Sequence, residues 1–552
     1  MSYTNNNYVA KGMLPQLPTG NVADFWMNWH KTIAVNDGKR NFSLKTKDCH
    51  DQQAPFNENQ ETIIEITHED HDISQIQDGF WTVTLKCMGR LTGIASTFND
   101  PKHLVKLFVG YKSSNQAFDR GQLILDGKGI GYNQNELTRE GFAYSNLKGF
   151  SERKTRRFIH SLYENVSNVS SSVCGEYLDV DTFKDGQPHE FTIKLNIPFT
   201  DLLALQAFRE FPNSVVGQLA FKGYFSHQGM VYTFINPATV KDYKEILQGE
   251  STEIDVIDST TSSNFDHKFI QVGVISNGIN DCKYESTTSG DVNVTKMTTG
   301  TGPVSFDITA LQVIELKSNM AGYSVIESTK AAIRSVFAEG VYIPSQQLDY
   351  ATFPIAPSAL GINSTNNLPV SNLSCLSIMF PRHQQDYTVF ENPCYNNLQL
   401  TINGRNVPDE VVDTTDARFL HYQLVASDLD KNIQCTKEYE DSIIQAKNDG
   451  NGNRYKNCLS DNTAFMWNVQ LERGGAGFCY DGFDSNGLNV PIQIRGQPIY
   501  NGINDTYYNV NEEGTIHPPQ IQMWLCRDTY FIVKPGYVRY IDNGSPEGSQ
   551  AA

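Results

Sequence analysis

The sequence predicts a mainly β protein: two tandem eight-stranded antiparallel jelly rolls, a double jelly roll, with a few short helices in the connections. Three observations carry this. At 552 residues the chain is too long for one ordinary core and suits two domains. Its 41 Gly, 26 Tyr and 30 Phe, with abundant Asn, Ser and Thr, favour short strands joined by turns. One turn pattern also occurs twice, nearly half a chain apart. Leu123-Ile124-Leu125-Asp126-Gly127-Lys128-Gly129-Ile130 and Leu400-Thr401-Ile402-Asn403-Gly404-Arg405-Asn406-Val407 share apolar alternation, an Asx-Gly pair, a cation and a β-branched residue. Asx-Gly in that setting signals a hairpin, because a type I′ turn needs positive φ at both central residues. Such pairs also recur by coincidence in large β proteins, so a second echo matters. Val231–Pro237 resembles Thr529–Pro535, each a strand-like run stopped by proline, and these are read as the strands that close each half.

Residues 1–20 read as an extended N-terminal arm, since they hold two prolines, Asn5-Asn6-Asn7 and few apolar side chains. Extended, such an arm reaches about 65 Å, enough to dock on a neighbouring protein. Residues 21–245 read as the N-terminal jelly roll. Its strand candidates are Phe25–Met27, Phe42–Leu44, Thr62–Ile66, Trp81–Cys87, Leu104–Val109, Phe191–Ile197, Val215–Phe225 and Met230–Ile235. Trp81–Cys87 shows the period-two alternation of a half-buried strand. Asp201–Phe211 places Leu202, Leu205 and Phe208 at helical spacing after Thr200 and predicts a helix. Residues 246–304, rich in Ser, Thr, Asp and Gly, read as a connection and the start of the second domain, with Thr298–Pro303 flexible. Residues 305–540 read as the C-terminal jelly roll, with strands at Ile308–Leu316, Cys375–Phe380, Phe419–Val425, Phe465–Leu471, Val490–Ile494, Ile521–Leu525 and Tyr530–Val533. A second helix is expected at Ser328–Glu339, with Gly340 as its stop. Residues 541–552 read as a polar, flexible tail.

Net charge of −18, and one lysine in the first twenty residues, argue against a nucleic-acid-coating protein, which would show a basic face or arm. No apolar run is long enough to span a bilayer, and the polar start lacks the charged and apolar regions of a secretory leader. The ten cysteines are scattered, with no Cys-x-x-Cys pair, and read as buried free thiols.

No catalytic, cofactor-binding or metal residue emerges from the motifs. There is no Gly-x-Ser-x-Gly elbow, His-Glu-x-x-His or phosphate-binding loop. Gly127–Gly131 lacks the full dinucleotide spacing and reads as a hairpin. His68-Glu69-Asp70-His71-Asp72 could supply metal ligands, but a solvated loop after a strand is the simpler reading. Asp481, Asp484 and Asn486 are better explained by turn chemistry than by calcium. The basic run in Ser151–Arg157 reads as a solvated face.

In the second half, Ile378-Met379-Phe380-Pro381-Arg382 is followed by Thr388–Pro393, then Leu398–Gly404 and Val407-Pro408-Asp409. This order resembles the second jelly roll of major capsid proteins from the Polinton, adintovirus and virophage group. The later Gly474-Gly475-Ala476-Gly477 and Pro518–Pro535 segments are similar to that family's last strands. The resemblance implies a structural, non-enzymatic protein needing no cofactor. It would form homotrimeric, pseudo-hexagonal (pseudo-hexameric) capsomers of an icosahedral double-stranded DNA virus or virus-like element. It further implies a place in the virion shell after assembly inside the host cell. Neighbouring capsomers, penton and minor capsid proteins would be its partners, without direct sequence-specific nucleic-acid binding. Two other classes stay open: a glycan-binding β-sandwich adhesin or lectin, and a carbohydrate-active β-sandwich enzyme with paired carboxylates.

Overall fold

In the computed structural model of the chain, Asp126 and Gly127 stand at φ 47° and 80°, and Asn403 and Gly404 at 48° and 78°. Both Asx-Gly pairs therefore make the turn with two positive φ angles that their residues favour. The structure describes residues 41–48, 55–92, 106–111, 113–141, 175–179, 186–235, 284–286, 295–299, 302–303, 305–353, 361–381, 395, 397–412, 445–446, 454–455, 466–472, 482–485, 488–497 and 521–541. Expectations for the arm, Phe25–Met27, Ser151–Arg157, Phe419–Val425 and the tail from Asp542 lie outside them.

The first sandwich is built from β1 (Asn41–Asp48), β2 (Glu61–Glu65), β3 (Ile73–Thr92), β4 (Phe118–Leu125), β5 (Lys128–Gln134), β6 (Pro188–Pro198), β7 (Leu219–Phe225) and β8 (Ser305–Ser324). The second uses β9 (Val341–Phe353), β10 (Ile362–Pro369), β11 (Leu373–Met379), β12 (Gln399–Ile402), β13 (Arg405–Asn406), β14 (Met466–Gln470), β15 (Asn489–Gly496) and β16 (Ile521–Lys534), with β17 (Tyr537–Ile541) folding back on β16. The first sandwich's sheets run β1-β8-β3-β6 and β2-β7-β4-β5. The second's run β9-β16-β11-β14 and β10-β15-β12-β13. Adding eight to every strand number of the first sandwich reproduces the second. In each sheet the last strand in the chain returns to lie beside the first, the Greek-key order of a jelly roll. The two Asx-Gly hairpins, β4–β5 and β12–β13, occupy the same edge of corresponding sheets.

Period-two alternation builds each core. Along β3, Trp81, Val83, Leu85 and Cys87 are fully buried, and Trp81 meets Phe118 of β4 edge-on at 5.6 Å and Phe221 of β7 at 5.5 Å. In the second sandwich Trp524 on β16 shares one core with Leu400 on β12 and Ile492 on β15. Aromatic contacts of this kind add stabilisation beyond buried area.

Three expectations need correction. The Val231–Pro237 and Thr529–Pro535 echo is not a structural equivalence. Met230–Ile235 pairs with Lys106–Tyr111 in a separate three-stranded sheet, whereas the counterpart of β16 is β8. The sequence places residue 305 at the start of the second domain, yet β8 lies between β1 and β3 and completes the first sandwich. The chain reaches β8 only after a long excursion, in which Tyr284–Ser286, Thr295–Thr299 and Gly302–Pro303 form a small sheet of their own; part of the stretch read as flexible is thus paired. Finally, Asp201–Phe211 is not an α-helix. Two 3-10 turns, Phe199–Asp201 and Leu203–Ala207, are followed by a two-residue strand at Glu210–Phe211. Leu202, Leu203, Ala204 and Leu205 are consecutively buried, so the segment is enclosed on all sides instead of presenting one stripe. Its bonds run over three residues, as in Leu205 N–H to Leu202 O at 2.9 Å. The second expected helix is present at Glu327–Phe337, buried along Thr329, Ile333 and Phe337. Gly340, at φ 97°, donates to Phe337 O at 3.0 Å.

Candidate assembly surface

The chemistry-bearing candidates stay dispersed. Among the described residues no group of three or more His, Cys, Asp or Glu is placed to hold a metal. Gly127 and its neighbours form the hairpin turn. Asp484 lies beside Phe483, whose backbone bridges Leu373; Asp481 and Asn486 lie outside the described residues. Cys87, Cys375 and Cys526 are free and buried, and burial pushes the Cys87 thiol up to about 12, so it is inert as a nucleophile. His68–Asp72 is only partly the solvated loop expected, since His71 is 2% exposed.

Two surfaces stand out instead. The first is the seam between the sandwiches, where both cores run into each other. Val341, Ile343, Phe531, Val533, Val538 and Tyr540 of the second sandwich join the first core, and Leu203 joins the second. Phe208 packs on Phe531 at 4.7 Å, and Tyr132 meets Tyr540 edge-on at 5.5 Å. Gln134 Nε2 donates to Leu348 O at 2.8 Å, and Arg139 lies 4.8 Å over the Tyr350 ring. Glu140, 3% exposed, sits in the same seam. Burial pushes its carboxyl up to about 8; a hydrogen bond with Gln134 works against this, and Asp349 reinforces it.

The second surface is the outer face around the edge strand β1. Phe42 and Leu44 are 59% and 72% exposed, and both sit on the face away from the core. Phe80 of β3, 38% exposed, is on that face too, because it pairs with Asn319, which pairs with Thr46 of β1. The alternate residues of β1 point inward and are polar. Ser43 Oγ lies 2.9 Å from His71 Nε2, Lys45 Nζ 2.9 Å from Asp70 and Lys47 Nζ 2.7 Å from Glu65. No side chain of β1 between Phe42 and Asp48 is buried. The strand is inverted relative to an ordinary sandwich edge, with polar groups inside and large apolar groups outside. Sequence reading placed a strand at Phe42–Leu44 but missed this inversion. The alternation of Phe and Leu with Ser, Lys and Lys was the available signal, and it cannot say which face looks outward.

The class these sheets define is the double jelly roll. No family model matches the sequence, and no curated protein matches it. Among solved structures the chain is similar to the mavirus major capsid protein, with 7% identity over 91% of this chain and 90% of that one and a TM-score of 0.48. It is similar to a chain of the Sputnik virophage structure, with 8% identity over 94% and 91% and a TM-score of 0.45. It is also similar to the Faustovirus major capsid protein, with 7% identity over 90% and 91% and a TM-score of 0.45. Identities and scores are low in all three, and the double jelly roll stands on the strand pairings themselves.

Proposed function

We propose that this chain is a structural major capsid protein. In this reading it forms homotrimeric, pseudo-hexagonal capsomers in the shell of an icosahedral double-stranded DNA virus or virus-like element. The observation that supports it most is the repetition of one strand order in two fused sandwiches. Two like wedges per chain and three chains per trimer give six wedges around a threefold axis, a near-hexagonal tile from one gene product. The continuous seam keeps the two wedges at a fixed angle, as a tile requires. Phe42, Leu44 and Phe80 supply an apolar face for a neighbouring subunit, where a lone soluble sandwich would carry polar groups. Neighbouring capsomers, penton proteins and minor capsid proteins are the partners this role entails. Acidic composition fits a shell protein that does not itself coat nucleic acid.

Light scattering on the purified 61.9 kDa chain tests this. The expected mass is that of three chains. Phe42→Ser with Leu44→Ser should shift the population toward monomer while changing thermal stability by less than about 0.5 kcal/mol, since neither side chain is buried within the chain. A monomer that binds glycans would contradict the capsid reading and favour the lectin.

A further inference from the structure

The arrangement around His71 has a direction built into it. Its backbone is clamped: Asn213 Nδ2 donates to His68 O at 2.9 Å and to His71 O at 2.6 Å. The next residue, Asp72, accepts from Val325 N–H at 2.9 Å and pairs with Lys330 at 2.9 Å. The ring lies over Gly322 of β8, the residue paired with Ser43, where an added Cβ would stand 2.4 Å from His71 Nδ1. Outward, the ring meets β1 through Ser43. Nδ1 is buried and has no hydrogen-bond partner among the described residues.

We infer that β1 is an acid-releasable strap: protonation of His71 pushes β1 off the edge of β8 while the rest of the first sandwich stays folded. A second proton on the ring puts an N–H at Nδ1 with no acceptor among the described residues, in a buried place. The titratable groups facing the ring are Lys45 from β1 and His68 and Asp70 from the loop, the two imidazoles being 5.6 Å apart. Gly322 of β8 lies against the ring as well. Burial first, then His68 and Lys45, hold the imidazole below its ordinary value, and these outweigh the opposing pull of Asp70 and Ser43. Asp70 is already engaged by Lys45, which keeps its carboxyl low, so it stays ionised where the ring titrates. A ring that gains its proton more easily once β1 has left makes release progressively more favourable as pH falls below the ordinary imidazole value of 6.5. Only β1 can yield. Among the described residues its hold consists of the antiparallel ladder to residues 317–324 and four polar side-chain links, from Ser43, Lys45, Thr46 and Lys47, with no buried side chain of its own. Release bares the edge of β8 and frees Phe42 and Leu44 from their fixed positions.

Hydrogen–deuterium exchange on the whole chain, corrected for intrinsic exchange, tests it at about pH 7.5 and about pH 5.5. Expected is a loss of protection of about tenfold or more in residues 42–48 at the lower pH, with β3 and β6 unchanged, and less than about twofold loss in His71→Gln. Equal protection of β1 at both pH values in the wild type would overturn the inference, as would an unchanged acid response in His71→Gln. If that variant fails to fold, the His71 titration midpoint by NMR must coincide with the exchange midpoint of β1. Midpoints more than about one pH unit apart would also overturn it.

Discussion

Glu140 is the residue on which the seam is most finely balanced. It sits on the helical turn 137–141, and its Oε2 has no hydrogen-bond partner among the described residues. Burial dominates its titration, lifting the carboxyl from 4.5 to about 8. It also helps hold the buried Tyr132 phenol well above its usual range, after burial itself. The fold keeps a proton that the unfolded chain gives up near 4.5, so the stability this group contributes is complete below that value and is lost as pH rises through about 8. Glu140→Gln keeps the shape and the bond to Gln134 without the charge. We expect the variant to be more stable than the wild type by roughly 2 kcal/mol at mildly alkaline pH, with the difference shrinking toward pH 5. Thermal melts across that range check this; parallel profiles for the two proteins would contradict it. This effect runs opposite in pH to the strap at His71, so the two are separable in one series of measurements.

The elements between and beside the sandwiches carry the next prediction. Leu205 in the 3-10 turn is fully buried and Phe337 in the helix Glu327–Phe337 is 1% exposed. Leu205→Asp and Phe337→Asp should each cost several kcal/mol, enough to lower soluble yield, because an unpaired charge is driven into a core. Wild-type melting in both would show that these two side chains face solvent. The same elements show what the sequence could and could not reveal. The two Asx-Gly hairpins were legible because positive φ is a local demand that few residues meet. The helix Glu327–Phe337 was legible because only one of its faces is buried. Asp201–Phe211 misled, since apolar residues at helical spacing do not tell that Leu203 and Ala204 between them are buried as well. β9 and β10 were not anticipated. β9 is an edge strand that tolerates Pro344 opposite Tyr530, and β10, Ile362–Pro369, is mostly polar. The place of β8 was hidden because its partners, β1 and β3, are distant in sequence and pairing over such distance leaves no local mark. The seam and the inverted edge of β1 could not be read at all, since burial of Glu140 and exposure of Phe42 are set by elements elsewhere in the chain.

For the whole molecule, two sandwiches of one topology are fused by a seam that is apolar at Phe208, Phe531 and Tyr540 and polar at Gln134 and Glu140. Such a body is stiff across its middle, carries a net charge of −18 and bears an apolar outer face on its first sandwich. In the proposed capsid role, such a body would act as a tile that meets its own kind through this face. Electron microscopy of the purified particle tests that claim most directly. The account predicts a particle with a near-hexagonal outline whose class averages show threefold but not sixfold symmetry, the two sandwiches of each chain forming alternate corners. Single two-lobed particles, or a particle of twofold symmetry, under conditions where the chain is fully folded would contradict it.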